Sequence, residues 1–290
     1  MNKINEKISW SNLLLALGIG YLSVAKWKDY KTIKGIYDVV NSSSSIPNKK
    51  ESEYIEKIRS EVISKVKESN LFKKFNKQYI IDSLSTIQFK VVDSTIVFSK
   101  DAKASYVYIK PLKGRYKYLL SNVPEGENFI IINRKDMNNS DYSSTIVHEI
   151  YHYFDRLITN DDERYSEVVD ISKYVDNNVS NERYTKKKIM LLMLFSNTSG
   201  EIENQIVDGI YDNYISNKKY YNSNSELFAR YKSLKHDMLN SDIIQSINQT
   251  PTIENLAEYL FSINGLKRLE HLYVLLSLDI TKLKELDNLL

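Results

Sequence analysis

The sequence predicts an α+β fold: a small twisted β-sheet packed on a single polar-faced helix, followed by a mainly helical C-terminal part. Two observations carry this. Segments rich in β-branched and aromatic residues cluster between Ile87 and Asn133, and almost everything beyond Ser143 has helical periodicity. The chain has 290 residues, of which 42% are hydrophobic, enough for an ordinary buried core. Forty basic side chains against thirty-seven acidic ones leave a net charge of +3, too balanced and too evenly spread for a nucleic-acid partner. There is no cysteine, so disulfides and thiolate metal sites are excluded, and any metal must be held by His, Asp or Glu.

Lys3 and Lys7 precede an apolar run from Leu13 to Leu22, with Ser23 and Ala25 after it, the layout of a secretory signal peptide cut after Ala25. The alternative is an amphipathic or buried N-terminal helix. The run is shorter than the ~20 apolar residues of a comfortable membrane span, so membrane association is expected only through this segment. A secreted or virion-associated location is favoured over a cytoplasmic one. The serine run in "NSSSSIPNKK", residues 41–50, reads as a linker or exposed loop. It separates an N-terminal segment, residues 1–45, from a domain spanning residues 46–290.

Within that domain, Tyr54, Ile55, Ile58, Val62, Ile63, Val66 and Phe72 recur at three- and four-residue steps, which predicts an amphipathic lead-in helix over residues 51–75. "IQFKVVD", "STIVFSK", "SYVYIK" and "ENFIIIN" then read as strands of one sheet. Helical periodicity returns over residues 185–195, 200–214, 225–239, 253–261 and 266–276.

The chemistry is concentrated in "STIVHEIYHYFDRL", residues 143–156, which holds two of the four histidines. At about 100° per residue, Thr145, His148, Glu149, His152, Asp155 and Arg156 share one arc, and Ile146, Val147, Ile150, Phe154, Leu157 and Ile158 the other. Two imidazoles at i and i+4 can meet one ion at ~2.0–2.1 Å while the intervening Glu149 reaches a water bound to it. Zinc is therefore the expected cofactor, rather than a merely solvated polar face. Asp155, close to one turn after His152, is placed to orient a ligand imidazole or to form a salt bridge.

Catalytic zinc usually takes three protein ligands, so one more is needed. The candidates are Glu163, Glu167, Glu182, Glu201, Glu203 and Glu226, with His236 as a nitrogen alternative. The strongest is Glu226 in "YYNSNSELFARYKSL", residues 220–234. Asn224 and Ser225 can cap a helix there, leaving Glu226 in the first turn. Ala229 and Arg230 share its face, and Leu227, Phe228, Tyr231 and Leu234 turn toward the core. The alternative role for Glu226 is to serve only the positive end of its helix.

"HEIYH" followed by "SELFAR" resembles the zincin metallopeptidases of the gluzincin type. The second element is closest to the Glu-Phe-Phe-Ala-Glu motif of the lethal-factor-like branch, which includes secreted and phage-encoded peptidases. The resemblance covers residues 85–240 and implies a zincin-like domain. It implies zinc held by His148, His152 and Glu226, Glu149 as general base, and Tyr220 or Tyr221 assisting the oxyanion. The implied activity is that of a zinc-dependent endopeptidase acting on a peptide or protein substrate. An extended substrate is expected to pair with a sheet edge, for which residues 129–133, just before the motif helix, are the nearest strand. The segment from Asn160 to Lys219 is longer than the branch usually has. The rival from another class is a catalytically silent zincin-fold structural or binding protein, a virion or toxin component. Glu149 speaks against it, because a structural site has no need of a carboxylate beside the water.

Overall fold

The strand "NFIIIN" organises the sheet. Phe129, Ile130, Ile131 and Ile132 are all essentially inaccessible, so this strand is covered on both faces and needs a partner on each side. In the computed structural model it has them. The structure describes residues 35–36, 38–39, 41–69, 77–93, 103–108, 127–137, 142–159, 171–195, 204–239, 269–283 and 285–286. Among these, strands β1 (Gln88–Val92), β2 (Ala104–Tyr108) and β3 (Asn128–Asn133) form one sheet in the order β1-β3-β2. β1 runs parallel to β3, with Phe89 opposite Ile130, and β2 antiparallel, with Tyr106 opposite Ile130. The expectation that residues 129–133 form a substrate-pairing edge is therefore corrected: β3 is central, and β1 and β2 are the edges among the described residues. The expected strand "STIVFSK" lies outside the described residues.

Seven helices complete the described part: α1 (Lys49–Glu68), α2 (Lys77–Thr86), α3 (Tyr142–Thr159), α4 (Glu182–Phe195), α5 (Asn204–Tyr221), α6 (Asn224–Leu239) and α7 (Leu269–Ser277). With the sheet they make an α+β architecture. α1 starts at a capping box in which Asn48 and Glu51 exchange side-chain and backbone bonds. It buries Ile55, Ile58, Val62 and Val66 of the predicted stripe, with Tyr54 and Ile63 partly buried; it ends at Glu68, short of the expected residue 75, and Phe72 lies outside the described residues. Glu51 also accepts from Arg134 Nε at 2.7 Å, and Arg134 reaches Asp93 at 2.7 Å and the Ser44 carbonyl at 3.2 Å. The serine run thus forms a short 3-10 turn, Ser43–Ser45, tied to the end of β3. α2 was not anticipated; its only buried apolar residues are Ile80 and Leu84, too few for a clear periodic signal. The expected helix over residues 253–261 and the apolar run of residues 13–22 lie outside the described residues. No described helix is long and apolar enough to cross a membrane.

The later helices are locked together by a buried charge. Lys188 on α4 donates to Asp176 at 2.8 Å and to the carbonyls of Leu276 and Leu278 at 3.1 and 2.7 Å, at the end of α7. Both charged side chains are almost inaccessible, 7% and 5%. Asp176 also accepts from the Tyr184 hydroxyl and the Asn178 N–H, which spreads the charge over fixed donors.

Two predictions follow from this packing. Lys188→Met should cost about 3 kcal/mol in urea unfolding, the low end for breaking a buried pair, since Tyr184 and Asn178 still serve Asp176. A loss below ~1 kcal/mol, as for a surface pair, would contradict the lock. The His236 side chain on α6 is largely shielded, 10% exposed, and this burial, with Lys57 and Lys65 of α1 next, pulls its imidazole down to about 4. Glu61 lies 3.9 Å away, beyond hydrogen-bonding distance, and does not offset them. The unfolded chain, with an ordinary imidazole near ~6.5, takes up this proton first, so the contribution is whole above that pH and is lost as pH falls toward about 4. Urea midpoints measured across that window should fall less steeply in His236→Gln than in the native chain, and equal slopes would refute the assignment.

Candidate metal centre

The motif helix is fixed at its start. Tyr142 is buried, and its hydroxyl donates to the Lys103 carbonyl while accepting the Asn133 N–H at 3.2 Å, joining α3 to β2 and β3. One side of α3 buries Ile146, Val147, Ile150 and Phe154, as the periodicity requires. The polar side is not solvated. α6 lies along α3, with Ala229 fully buried, Phe228 edge-on to Tyr151 at 5.5 Å, and the Ser233 hydroxyl donating to the Ser144 carbonyl at 2.9 Å. Only Asn222 and Ser223 separate α5 from α6, and their N–H groups bond back to the carbonyls of Lys218 and Tyr220. This tight turn holds Tyr220 and Tyr221 beside the first turn of α6.

The result is a compact donor set. His148, His152 and Glu226 each offer one ligand atom, and these lie within 4.8 Å of one another. The two Nε2 atoms are 2.9 Å apart, Glu226 Oε1 is 3.3 Å from His152 Nε2, and Glu226 Oε2 is 3.6 Å from His148 Nε2. Ligands of a tetrahedral zinc, at ~2.0–2.1 Å bonds, stand about 3.3 Å from each other, so these separations fit one ion. Two imidazoles and a carboxylate are also the donor types that a cysteine-free chain can offer a borderline-soft divalent ion.

The other third-ligand candidates separate cleanly. Glu182 stands at the exposed start of α4, paired with Lys186 at 2.7 Å. His236 is ten residues further along α6 than Glu226, about 15 Å by helical rise, and faces Glu61. Glu163, Glu167, Glu201 and Glu203 lie outside the described residues.

The surrounding polar groups are engaged. Glu149 is buried, 8% exposed, and its Oε2 accepts the backbone N–H of Tyr106 at 2.6 Å. That N–H is available because Asn133 N–H bonds the Lys103 carbonyl, so Lys103, Ser105 and Val107 face β3 while Ala104, Tyr106 and Tyr108 present their backbone groups outward. This edge of β2, which has no strand partner among the described residues, therefore borders the motif, with its Tyr106 N–H taken by Glu149. His152 Nδ1 meets the Ser225 hydroxyl at 3.0 Å, and the Asp155 carboxylate hydrogen-bonds the same hydroxyl. Asn224 and Ser225 were expected to cap α6. Both lie inside the helix, which starts at Asn224, and the Ser225 hydroxyl is turned to His152. Arg230, one turn beyond Glu226, donates to Glu226 Oε2 at 3.1 Å and to the Tyr220 hydroxyl at 3.4 Å, and lies over the Tyr220 and Tyr221 rings.

The two tyrosines differ in their surroundings. Tyr220 is 49% exposed, with its hydroxyl toward Arg230 and Glu226, whereas Tyr221 stacks on Tyr273 at 4.6 Å and on Tyr214. Burial, then the Glu226 charge, raises the Tyr220 phenol to about 12. Burial also drives His148 well below the usual imidazole range, which leaves it neutral. It lifts Glu149 too, against the opposing pull of His152 and the Tyr106 N–H. For Glu226, burial opposes ionisation, but the His152 hydrogen bond and charge, with Arg230, outweigh it and hold the carboxyl at about 2. Sequence reasoning did not find Tyr106, whose contribution is a backbone N–H and leaves no mark on residue type.

No protein-family model, curated protein or solved structure matches the chain.

The geometry makes a discriminating prediction. In zinc titrations against a competing chelator, Glu226→Ala should lose more than the ~10–100-fold typical of outer-shell changes, while Glu182→Ala and His236→Ala bind like the native chain. Native affinity in Glu226→Ala would remove this residue from the centre.

Proposed function

We propose that the chain is a zinc-dependent endopeptidase with a zincin-like domain, in which His148, His152 and Glu226 hold the metal and Glu149 is the general base. The observation that carries the reading is the convergence of two imidazoles and one carboxylate within 4.8 Å, with Glu149 on the same helix as the imidazoles and held by the edge of β2. Zinc held by these residues supplies a Lewis acid for the scissile carbonyl and a water acidified toward ~7.

The remaining chemistry belongs to the chain. Glu149 takes a proton from the attacking water, whose oxygen bonds to the carbonyl carbon, and returns a proton to the amine as the carbon–nitrogen bond breaks. The Tyr106 N–H holds Oε2 of this carboxylate, so that the other oxygen exchanges the proton. The outward backbone groups of Ala104 and Tyr108, with the Tyr106 carbonyl, pair with an extended peptide beside β2, while the Tyr106 N–H stays with Glu149. Tyr220, the tyrosine whose hydroxyl faces the ligand Glu226, donates to the oxyanion.

Glu149→Gln tests this directly. The variant should bind zinc as the native chain does and lose at least the ~10²–10⁴-fold that general base catalysis contributes, measured on a peptide library cleaved by the native protein. Undiminished turnover would sink the mechanism, and a native chain that binds zinc without cleaving any peptide would favour a binding or structural role.

A further inference from the structure

We propose that Ser225 is a positioning residue of the metal centre: its hydroxyl links the Asp155 carboxylate to Nδ1 of His152 and fixes the imidazole tautomer that presents the Nε2 lone pair to the ion. The proposal rests on the zinc-site reading above. Its parts come from two helices. Asp155 lies three residues beyond His152 on α3, nearly one turn, and so reaches the same side of the helix. Ser225 comes from the first turn of α6, immediately before Glu226. One residue along a helix is a rotation of about 100°, so the adjacent side chains diverge around the His152 ring. Ser225 takes the Nδ1 side at 3.0 Å, and Glu226 takes the Nε2 side at 3.3 Å.

The polarity of this chain of bonds follows from its acidic end. An ionised carboxylate can only accept, so the Ser225 O–H donates to Asp155. The hydroxyl oxygen then has lone pairs left for the ring, and the ring must be the donor, which places the proton on Nδ1. With the proton held on Nδ1, Nε2 is the nitrogen that can give its lone pair to an ion, and Nε2 is the atom that faces His148 and Glu226. A serine thereby does what a carboxylate or carbonyl commonly does directly behind a zinc-bound histidine. The arrangement also explains why Ser225 does not cap α6: its hydroxyl is committed across the helix interface.

The test uses the full-length chain and two readouts. Zinc affinity, by chelator competition, should fall about 10–100-fold in Ser225→Ala and in Asp155→Asn, and Ser225→Thr should restore most of it, because threonine keeps the hydroxyl. In zinc-loaded protein, the Nδ1 proton of His152 should exchange slowly with solvent in the native chain and measurably faster in Ser225→Ala. A helix-packing role for Ser225 would leave that exchange unmoved. Unchanged exchange, or native zinc affinity in Ser225→Ala, overturns the proposal. A native chain that takes up no zinc overturns the metal reading instead, a result the two readouts keep distinct.

Discussion

Two carboxylates buried between α3 and α6 are the constraint on which the rest of the structure depends. Glu149 is 8% exposed, and the side chain of Glu226 is 14% exposed. Removing such groups from water costs several kcal/mol each unless donors or cations replace it. Each neighbour can be understood as part of that replacement: the Tyr106 N–H for Glu149, and Arg230 with the two imidazoles for Glu226. A helix interface built only for stability would be served at least as well by apolar side chains of similar volume. The charges are kept, and the divalent ion we propose at the three donors would offset both carboxylates.

What the sequence made legible was local. The i, i+4 histidines on an amphipathic helix identify α3 because its period and its chemistry fall in one continuous stretch, and "SELFAR" identifies α6 for the same reason. Strand order was not legible, since β3 is central through pairings with β1 and β2 set by distant segments. Its four consecutive apolar residues did carry a warning, for a strand open to solvent on one face alternates. The same limit hid Ser225. A serine at the start of a helix reads as a cap, and only the neighbouring helix reveals that its hydroxyl is used elsewhere.

The long segment between the two motifs finds a physical role in the described structure. Its helices α4 and α5 end in the tight turn that delivers Tyr220, Tyr221, Ser225 and Glu226 together. α4 in turn is bound to the end of α7 through Lys188, and Tyr221 stacks on Tyr273 of α7. The C-terminal helix thus supports the wall of the centre from behind. One turn beyond Glu226, Arg230 donates to its carboxylate, so the proposed third ligand would be held by a cation, and the orientation of His152 would fall to Ser225 and Asp155.

The central claim, that three side chains hold one zinc ion, is tested most directly by X-ray absorption spectroscopy of the zinc-loaded chain. The account predicts one zinc per chain in a first shell of nitrogen and oxygen at ~2.0–2.2 Å, with multiple scattering from two imidazoles. It also predicts loss of one imidazole contribution in His148→Ala and in His152→Ala, with Glu226→Ala losing oxygen scattering alone. A shell with no imidazole, or with a count that none of these substitutions changes, would contradict it.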